Sequence, residues 1–347
     1  MPTVHSPHQS LTYSLIASGL QKSYGDTHAL DGFDLRVAAG SIHGLLGPNG
    51  AGKSTAVSAL CTLIDVDDGS ATVAGLDIRS SGKQVRERIG LVGQAAALDD
   101  ILGGRQNLVM FGRLFGLRSS AARARADELL HQFGLTDAAE RPVSTYSGGM
   151  RRRLDIAASL IRTPAVLFLD EPTTGLDPRG RNEVWRAVRQ IAESGTTVLL
   201  TTQHLDEADQ LADRISVMNH GRVIAEGTPK QLKRRLGGGR IEVMLEDGTR
   251  LTEAARLLGE ALGTTAVVDD YSRTVTLEVP PGGTGLMSVV RVLDGAALTA
   301  DDIALRRPTL DEVFLALTDM PPAASVADSS PDSADRTAES ADNKETP

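Results

Sequence analysis

Residues that could bind a phosphate chain are gathered in one glycine-rich loop. Glycines let the backbone turn tightly and direct successive amide N–H groups at one point, where the N-terminus of the following helix adds partial positive charge. The Lys53 ammonium would reach the β- and γ-phosphates of a nucleotide, and the Ser54 hydroxyl would take one position on Mg²⁺. The candidate phosphate-binding residues are Gly47, Pro48, Asn49, Gly50, Ala51, Gly52, Lys53, Ser54 and Thr55.

The spacing of the glycines, the lysine and the serine in this loop matches the Walker A pattern. An apolar run at 42–46 predicts a strand before the loop, and the run at 56–60 predicts a helix after it. The alternative interpretation is a glycine-rich turn that binds no ligand. The strand and the helix favour a nucleotide site, because the pattern functions between those two elements.

Polar residues that could serve a phosphoryl reaction follow two other predicted strands. The apolar run 165–169 ends at Asp170 and Glu171. Asp170 would hold Mg²⁺, usually through water, and Glu171 could polarise the attacking water as a general base. After the strand 197–201, His204 is placed to donate to a γ-phosphate oxygen or to orient that water. The alternative interpretations are that Asp170 and Glu171 only terminate a strand, and that His204 is a structural histidine.

A second candidate anion site lies between Tyr146 and Met150. Ser147 can cap a helix there, and Gly148 and Gly149 leave backbone N–H groups accessible at the N-terminus of that helix. One subunit has no obvious use for both anion sites on one nucleotide.

With these motifs the chain resembles the ABC ATPase family over roughly Leu11 to Arg235. In that family the Ser-Gly-Gly loop of one subunit closes over the γ-phosphate on the Walker A loop of another, so the resemblance implies a homodimer around two Mg-ATP. It also implies that Tyr24 stacks on adenine, that Gln94 links Mg²⁺ and water to a transmembrane partner, and that Asp177 makes a contact across the dimer. The alternative interpretations are that Tyr24 is a half-buried tyrosine at a strand end, and that Gln94 is an ordinary surface glutamine.

Two residues depart from the commonest family signature, which has leucine at the position of Tyr146 and glutamine at that of Met150. With the arginine triplet 151–153 and the stretch 307–315, the chain resembles the daunorubicin-resistance branch of bacterial drug exporters, whose ATP-binding subunits carry a small appended domain. We expect the arginine triplet to be a solvated helix face rather than a nucleic-acid contact.

The pattern of elements, taken with the resemblance, predicts an α/β P-loop ABC ATPase domain with a mixed sheet core, an antiparallel β subdomain and a helical subdomain. Residues 11–37 are expected to form two short strands, and 98–141 a helical insertion. A hairpin is expected around 219–221. The strands predicted for a parallel sheet covered on both faces are 42–46, 89–92, 165–169 and 197–201.

A second region begins after the glycine run 237–239. Its elements alternate as βαββαβ, which predicts a small α+β ferredoxin-like domain that ends in an extra helix. In that helix Leu310, Val313, Phe314 and Leu317 fall on one face. We expect this face to pack either against a domain core or against a second subunit.

The size and composition of the chain are consistent with two domains, because 347 residues with 41% hydrophobic content can bury one large and one small core. Its single cysteine, Cys61, excludes an internal disulfide and a multi-cysteine zinc site, and we expect it in the core. The expected parts are a disordered N-terminus (1–10), a nucleotide-binding domain (11–236, with its helical subdomain at about 95–163), a C-terminal domain (240–319) and an acidic disordered tail (320–347).

The net charge of −9 argues against broad affinity for nucleic acid. The chain has no secretory signal pattern and no apolar run of about 18 residues, so we expect it to stay in the cytoplasm. The resemblance implies a peripheral subunit on the cytoplasmic face of the membrane. The resemblance implies an ATP-hydrolysing subunit that drives a separate integral-membrane permease and exports an antibiotic or another amphipathic drug. The alternatives are export of a lipid or polysaccharide, import, a soluble ribosome- or nucleic-acid-associated ATPase, and a GTPase switch.

Overall fold

The computed structural model describes residues 12–234, 239–279, 285–306 and 309–318. The segments predicted to be disordered, 1–10 and 320–347, lie outside these residues. The strands in chain order are β1 (Tyr13–Tyr24), β2 (Thr27–Ala38), β3 (Ile42–Leu46), β4 (Asp68–Val73), β5 (Leu76–Asp77), β6 (Ile89–Val92), β7 (Val166–Asp170), β8 (Thr197–Thr202), β9 (Arg214–Asn219), β10 (Arg222–Gly227), β11 (Arg240–Leu245), β12 (Ala266–Asp269), β13 (Thr274–Glu278) and β14 (Ala300–Arg306). The helices are α1 (Lys53–Leu60), α2 (Gly82–Arg88), α3 (Gly104–Leu114), α4 (Ser119–Gln132), α5 (Gly148–Ser159), α6 (Pro178–Glu193), α7 (Leu205–Leu211), α8 (Pro229–Arg234), α9 (Leu251–Leu262), α10 (Gly285–Gly295) and α11 (Leu310–Thr318). Within these ranges no helix has both the length and the apolar composition that crossing a membrane requires.

The central sheet has the strand order β10-β9-β3-β8-β7-β6. The β9–β10 hairpin is antiparallel, as predicted, and the other neighbouring pairs are parallel. Every residue of β3, β7 and β8 is buried, as expected for apolar strands covered on both faces. Because the carboxyl ends of parallel strands meet at one edge, the segments that follow these three strands lie side by side.

Each face of the central sheet has its own hydrophobic core. Phe168 of β7 packs in a core with Phe33 of β2 and Leu60 of α1. Leu167, the preceding residue of the same strand, packs on the opposite face with Leu154 of α5. Successive side chains of a strand point to opposite faces, so one strand joins the antiparallel sheet to the helical region.

The antiparallel sheet has the order β2-β1-β4-β5. The two strands predicted around the turn at Gly25 are confirmed, but the prediction that they are short is wrong, since each has twelve residues. The strand β4 was not predicted, because Asp68 and Gly69 have low strand propensity. Pairing with β1, with Leu15 opposite Val73, holds this segment extended.

The helical region predicted after the strand 89–92 is present as α3, α4 and α5. Asn107 fixes the start of this region and is fully buried. Its Oδ1 accepts from the Asp99 backbone N–H at 2.8 Å, and its Nδ2 donates to the carbonyl oxygen of Asp99 at 2.9 Å. These bonds join α3 to the segment that follows Gln94.

The C-terminal sheet has the order β12-β13-β11-β14, and all of its pairs are antiparallel. Val243 of β11 and Val275 of β13 are buried against Leu258 of α9 and Val289 of α10. The chain order βαββαβ with this strand order is the predicted ferredoxin-like arrangement.

The last helix, α11, packs on the nucleotide-binding region of its own chain. Leu310 and Val313 are buried in one cluster with Ala208 of α7 and Leu232 of α8, and Phe314 and Leu317 lie against it. The Arg240 guanidinium of β11 pairs with Glu312 at 3.2 Å. Of the two contacts expected for this helix face, the structure therefore contains the one with a domain core.

Candidate functional site

The phosphate-binding loop connects β3 to α1 and is closely packed at two glycines. Gly52 has a φ of 103°, and a Cβ atom there would lie 2.2 Å from the Ala29 carbonyl oxygen. A Cβ on Gly47 would lie 2.5 Å from the carbonyl oxygen of Met218. Other residue types would displace the loop, so its conformation depends on glycine at both positions.

Lys53 is buried at the centre of this loop. Its Nζ donates to the carbonyl oxygens of Gly47 at 2.8 Å and Pro48 at 3.0 Å. Burial lowers the pKa of the ammonium, while the charges of Glu171 and Asp170 oppose that change. The loop thus holds a positive charge beside the two acids at the end of β7.

Ser54 and Asp170 carry two oxygen groups that could ligate a metal ion at the same edge of the sheet. The Ser54 hydroxyl donates to Asp170 Oδ2 at 3.1 Å, and Thr201 donates to Asp170 Oδ1. A serine hydroxyl beside a carboxylate is the donor set that Mg²⁺ prefers, so these residues fit the ion predicted from the sequence. The structure brings together Lys53, Ser54 and Asp170.

Glu171 has an unusual backbone conformation. Its φ is 46°, in the left-handed region, which costs a residue other than glycine about 1 kcal/mol. Its N–H donates to the carbonyl oxygen of Thr201 at 3.1 Å, and its Oε2 accepts from the Thr174 hydroxyl at 3.2 Å. The strand β8 and the turn after β7 therefore determine where this carboxylate lies.

The second candidate anion site lies at the start of α5. Ser147 caps the helix, since its Oγ accepts from the Met150 N–H at 3.3 Å. A Cβ on Gly149 would lie 3.0 Å from the Cα of Gly180, so the start of α5 lies against the start of α6. Asp177 caps α6 through a 2.6 Å bond from the Gly180 N–H. The loop 147–149 and the Asp177 segment are therefore adjacent.

A cleft of about 460 Å³ brings Gln94 together with Glu171 and Gly148. Gln94 is exposed. The cleft also contacts the turn after β7 and the start of α5, and its remaining lining residues are Ala95, Ala96, Arg151, Arg152, Pro172, Thr174 and Leu176. The predicted base and the predicted link to a transmembrane partner therefore share one space.

Tyr24 lies at the end of β1, where its side chain is 52% exposed and accessible for stacking. The Lys22 ammonium lies 5.7 Å from the centre of its ring. His204 directly precedes α7, and its backbone N–H donates to Thr202 Oγ1 at 2.9 Å. The residue before it, Gln203, is exposed and was not singled out from the sequence.

The expectation that the arginine triplet is a solvated face is wrong. Arg152 is 8% exposed, and Arg153 pairs with Glu183 at 3.0 Å while donating to the Phe133 carbonyl oxygen at 2.6 Å. Arg151 pairs with Asp100 at 2.9 Å. The helix is covered by the sheet and by α4 and α6, so Arg152 and Arg153 satisfy carbonyl oxygens and carboxylates inside the protein, while the Arg151–Asp100 pair lies nearer the surface.

Arg152 is the site residue that sequence reasoning missed. Its Nη1 donates to the carbonyl oxygen of Gly93 at 2.6 Å, its Nη2 to that of Asp170 at 3.0 Å and its Nε to that of Pro172 at 2.9 Å. Burial lowers the pKa of this guanidinium, which the nearby charge of Asp155 opposes. The available signal was its position four residues before Ile156, on the buried side of the helix.

A second buried acid, Glu207, lies near His204 on α7. It is 1% exposed and accepts from the Trp185 indole N–H at 3.2 Å. Burial raises the pKa of its carboxyl group, and the hydroxyls of Thr202 and Thr173 oppose that rise. Glu207 thus joins α6 to the segment that carries His204.

Comparisons with known proteins agree with this geometry. The family model described as ABC transporter matches residues 30–174. The chain is 58% identical over 305 residues to the daunorubicin resistance ATP-binding protein DrrA3 of Streptomyces coeruleorubidus, an alignment that covers 88% of this chain and 96% of that protein. It is 34% identical over 304 residues to the linearmycin resistance ATP-binding protein LnrL of Bacillus subtilis strain 168, covering 88% of this chain and 98% of that protein.

Among solved structures, the chain is similar to cbiO1 of Clostridium perfringens, which is part of the ABC transporter complex cbiONQ. The identity is 31% and the TM-score is 0.59. The match covers 63% of this chain and 90% of that chain. Most of the remaining residues of this chain therefore have no counterpart in that structure.

Proposed function

The chain belongs to the ATP-binding proteins of ABC transporters, and we propose that it is the ATP-hydrolysing subunit of a two-component exporter whose permease is a separate membrane protein. The observation that carries this proposal is the convergence of Lys53, Ser54, Asp170 and Glu171 at one edge of the central sheet. The four residues supply the cation, the metal ligands and the base that ATP hydrolysis requires.

The phosphate chain of ATP binds on the loop between β3 and α1. Backbone N–H groups at the start of α1 and the Lys53 ammonium neutralise its negative charge. Ser54 and Asp170 would hold Mg²⁺, which supplies further positive charge to the phosphate oxygens when it is bound. Tyr24 stacks on the adenine ring at the end of β1.

Glu171 accepts the proton of the attacking water. Its backbone is held by Thr201 and its carboxylate by Thr174, so the base is oriented before the substrate binds. His204 and Gln94 orient the water and the γ-phosphate. The proton that Glu171 accepts leaves with the products when the site opens.

We propose that two copies of this chain close around two Mg-ATP. The Ser147 hydroxyl and the N–H groups of Gly148 and Gly149 then contact the γ-phosphate held by the partner's phosphate-binding loop. Asp177 lies on the same surface, because its helix α6 packs against the start of α5. Nucleic acid is not required in this scheme.

The permease contact is proposed for a cleft of about 260 Å³ that α2, β6, α3 and α5 surround. Three large apolar side chains in this cleft are exposed: Leu63 at 58%, Leu91 at 37% and Phe115 at 40%. The cleft includes Ala97, three residues after Gln94. An apolar surface beside the Gln94 loop suits a cytoplasmic helix of the permease, which would place this chain on the cytoplasmic face of the membrane.

The proposed cargo is an antibiotic or another amphipathic drug. It rests on the similarity to proteins named for daunorubicin resistance and linearmycin resistance. A lipid or polysaccharide is the alternative cargo, and import is the alternative direction. Efflux of a fluorescent anthracycline from cells, compared with release of labelled lipid, separates the two kinds of cargo.

The test of the proposed function is Mg-ATP hydrolysis and drug efflux by membranes that contain the full chain with or without its candidate permease. We expect both activities to require the permease and Glu171. Hydrolysis that is indifferent to the permease but stimulated by RNA or ribosomes would place the chain among soluble ATPases.

A further inference from the structure

One buried guanidinium connects the three segments that the proposed mechanism uses. Arg152 lies on α5, five residues after the helix cap Ser147. Its three carbonyl partners belong to Gly93, Asp170 and Pro172. Gly93 directly precedes Gln94, and the other two flank Glu171. Arg152 thus joins α5 both to the Gln94 loop and to the residues on either side of Glu171.

The two bonds around Glu171 hold a strained residue. Glu171 is left-handed at φ 46° although it has a side chain. Such a conformation persists only when the surroundings fix it. The Arg152 Nη2 and Nε atoms bind the carbonyl oxygens on either side of Glu171, and Thr201 binds its N–H. The direction of the Glu171 carboxylate therefore depends on the position of Arg152.

The Gln94 loop is held by the same helix at two points. Arg152 donates to the Gly93 carbonyl oxygen at 2.6 Å, and Asp155 Oδ1 accepts from the Ala97 N–H at 3.3 Å. The two side chains also contact each other at 3.4 Å. Gln94 and the two alanines after it are thus the free span between two anchors on α5. Asp155 and Ala97 both line the cleft proposed for the permease.

We propose that Arg152 is the positioning residue that couples the signature helix α5 to both Glu171 and the Gln94 loop. In this role Arg152 acts through the positions of Glu171 and the Gln94 loop rather than by binding the nucleotide. When α5 moves as the dimer closes, the rigid guanidinium of Arg152 shifts Glu171. The same happens when the Gln94 loop moves with the permease. This role rests on the proposed ATPase function.

The chemistry of the arginine side chain suits this role. A guanidinium is planar and presents its N–H groups in a fixed fork, so it can bind three carbonyl oxygens at once and keep their relative positions. A lysine ammonium is a point charge on a flexible stem and would satisfy only part of the set. Arg152→Lys should therefore be intermediate between the wild type and Arg152→Met, which keeps an unbranched stem as far as the position of Nε but has no donor.

The test uses the full chain with its permease and measures kcat, the KM for ATP and the equilibrium binding of a fluorescent ATP analogue. We expect Arg152→Met to lower kcat by about tenfold or more with little change in nucleotide affinity, and Arg152→Lys to recover part of the loss. The matched control is Arg125→Met. The Arg125 guanidinium also donates to a backbone carbonyl oxygen of the helical region, that of Leu160 at 2.8 Å, but this contact lies outside the site. A parallel loss in the control would overturn the proposal.

A double variant separates positioning from general loss of structure. If Arg152 acts through Glu171, Arg152→Met should slow the wild type but add little to the effect of Glu171→Gln. Multiplicative losses would overturn the proposal, and so would wild-type kcat in both Arg152 variants. If Arg152→Met does not fold, the same cycle is run with Arg152→Lys. An inactive wild type would instead contradict the ATPase function itself.

Discussion

The central sheet and the C-terminal sheet differ in strand direction, in burial and in the residues that follow their strands. The central sheet is largely parallel and buried on both faces, and its strands end together at one edge. The C-terminal sheet is antiparallel and leaves Val267 66% exposed on its edge strand. None of the predicted site residues lies on the C-terminal sheet. Parallel strands bring their carboxyl ends to one edge, which is where polar side chains can act together.

The two sheets are nevertheless linked by α11. This helix follows the last strand of the C-terminal sheet but packs on α7 and α8. The helix α7 directly follows His204 and carries the buried Glu207. Among its described residues the C-terminal region contributes none of the predicted site residues, but α11 contacts an element that borders the site.

The largest effect is expected at the end of β7. Glu171→Gln should lower turnover by about a thousandfold and leave ATP bound, since the cation and the metal ligands remain. Single-turnover hydrolysis and filter binding of ATP measure the two quantities. Turnover close to that of the wild type would remove Glu171 from the role of base.

Lys53→Ala should lower kcat/KM by about a hundredfold, because the loop loses the charge that is held beside the phosphates. The methyl group that replaces the side chain fits the helix, so the fold should persist. Circular dichroism is the control for folding. Unchanged kinetics in a folded variant would contradict the assignment of the phosphate-binding loop.

Leu310→Ala tests the link between the sheets. Removing a buried leucine from the contact of α11 with α7 and α8 should destabilise that contact by about 2–3 kcal/mol. Hydrogen exchange of α11 and α7 should increase while exchange in the C-terminal sheet is unchanged. The control is Leu315→Ala on the same helix, at a side chain that is 58% exposed. Equal protection in both variants would contradict the observed packing.

The stability of the central sheet should depend on pH through His43. This residue of β3 is 1% exposed and hydrogen-bonds Ser216 at 2.9 Å, and burial lowers its pKa to about 4. Between pH values of about 4 and about 6.5, His43 binds a proton more readily in the unfolded chain than in the folded protein. The free energy of unfolding should therefore fall as the pH falls through this range. The loss at pH 4.5 should be about 2.5 kcal/mol. Urea unfolding at several pH values should show that the free energy of unfolding depends less on pH in His43→Gln than in the wild type. The same dependence on pH in both proteins would contradict the role of His43.

The smallest effect is expected on the exposed part of the C-terminal sheet. Val267→Thr changes an exposed side chain on an edge strand and keeps its β-branched shape, so stability should change by less than about 0.5 kcal/mol. ATPase activity should be that of the wild type. A loss of activity would indicate that this sheet takes part in the reaction or in a contact that supports it.

The fold class and the phosphate-binding loop were predictable because they depend on local residue types. Glycine spacing determines the turn, and continuous apolar runs predict buried strands, so β3, β7 and β8 were found close to their observed bounds. The strand β4 was not found, because its pairing with β1 rather than its composition keeps it extended. The roles of the site residues and the boundaries of the domains stay predictions.

The sequence by itself determined which residues could bind a nucleotide, since a phosphate-binding loop is read from consecutive residues. Only the tertiary structure decided what surrounds them. Three arginines on one helix turn predict a solvated face. Whether that face contacts water or protein depends on elements distant in the chain. The partners of Arg152 are 59, 18 and 20 residues away. Buried polar groups are stabilised by partners that folding brings together, and no local pattern records them.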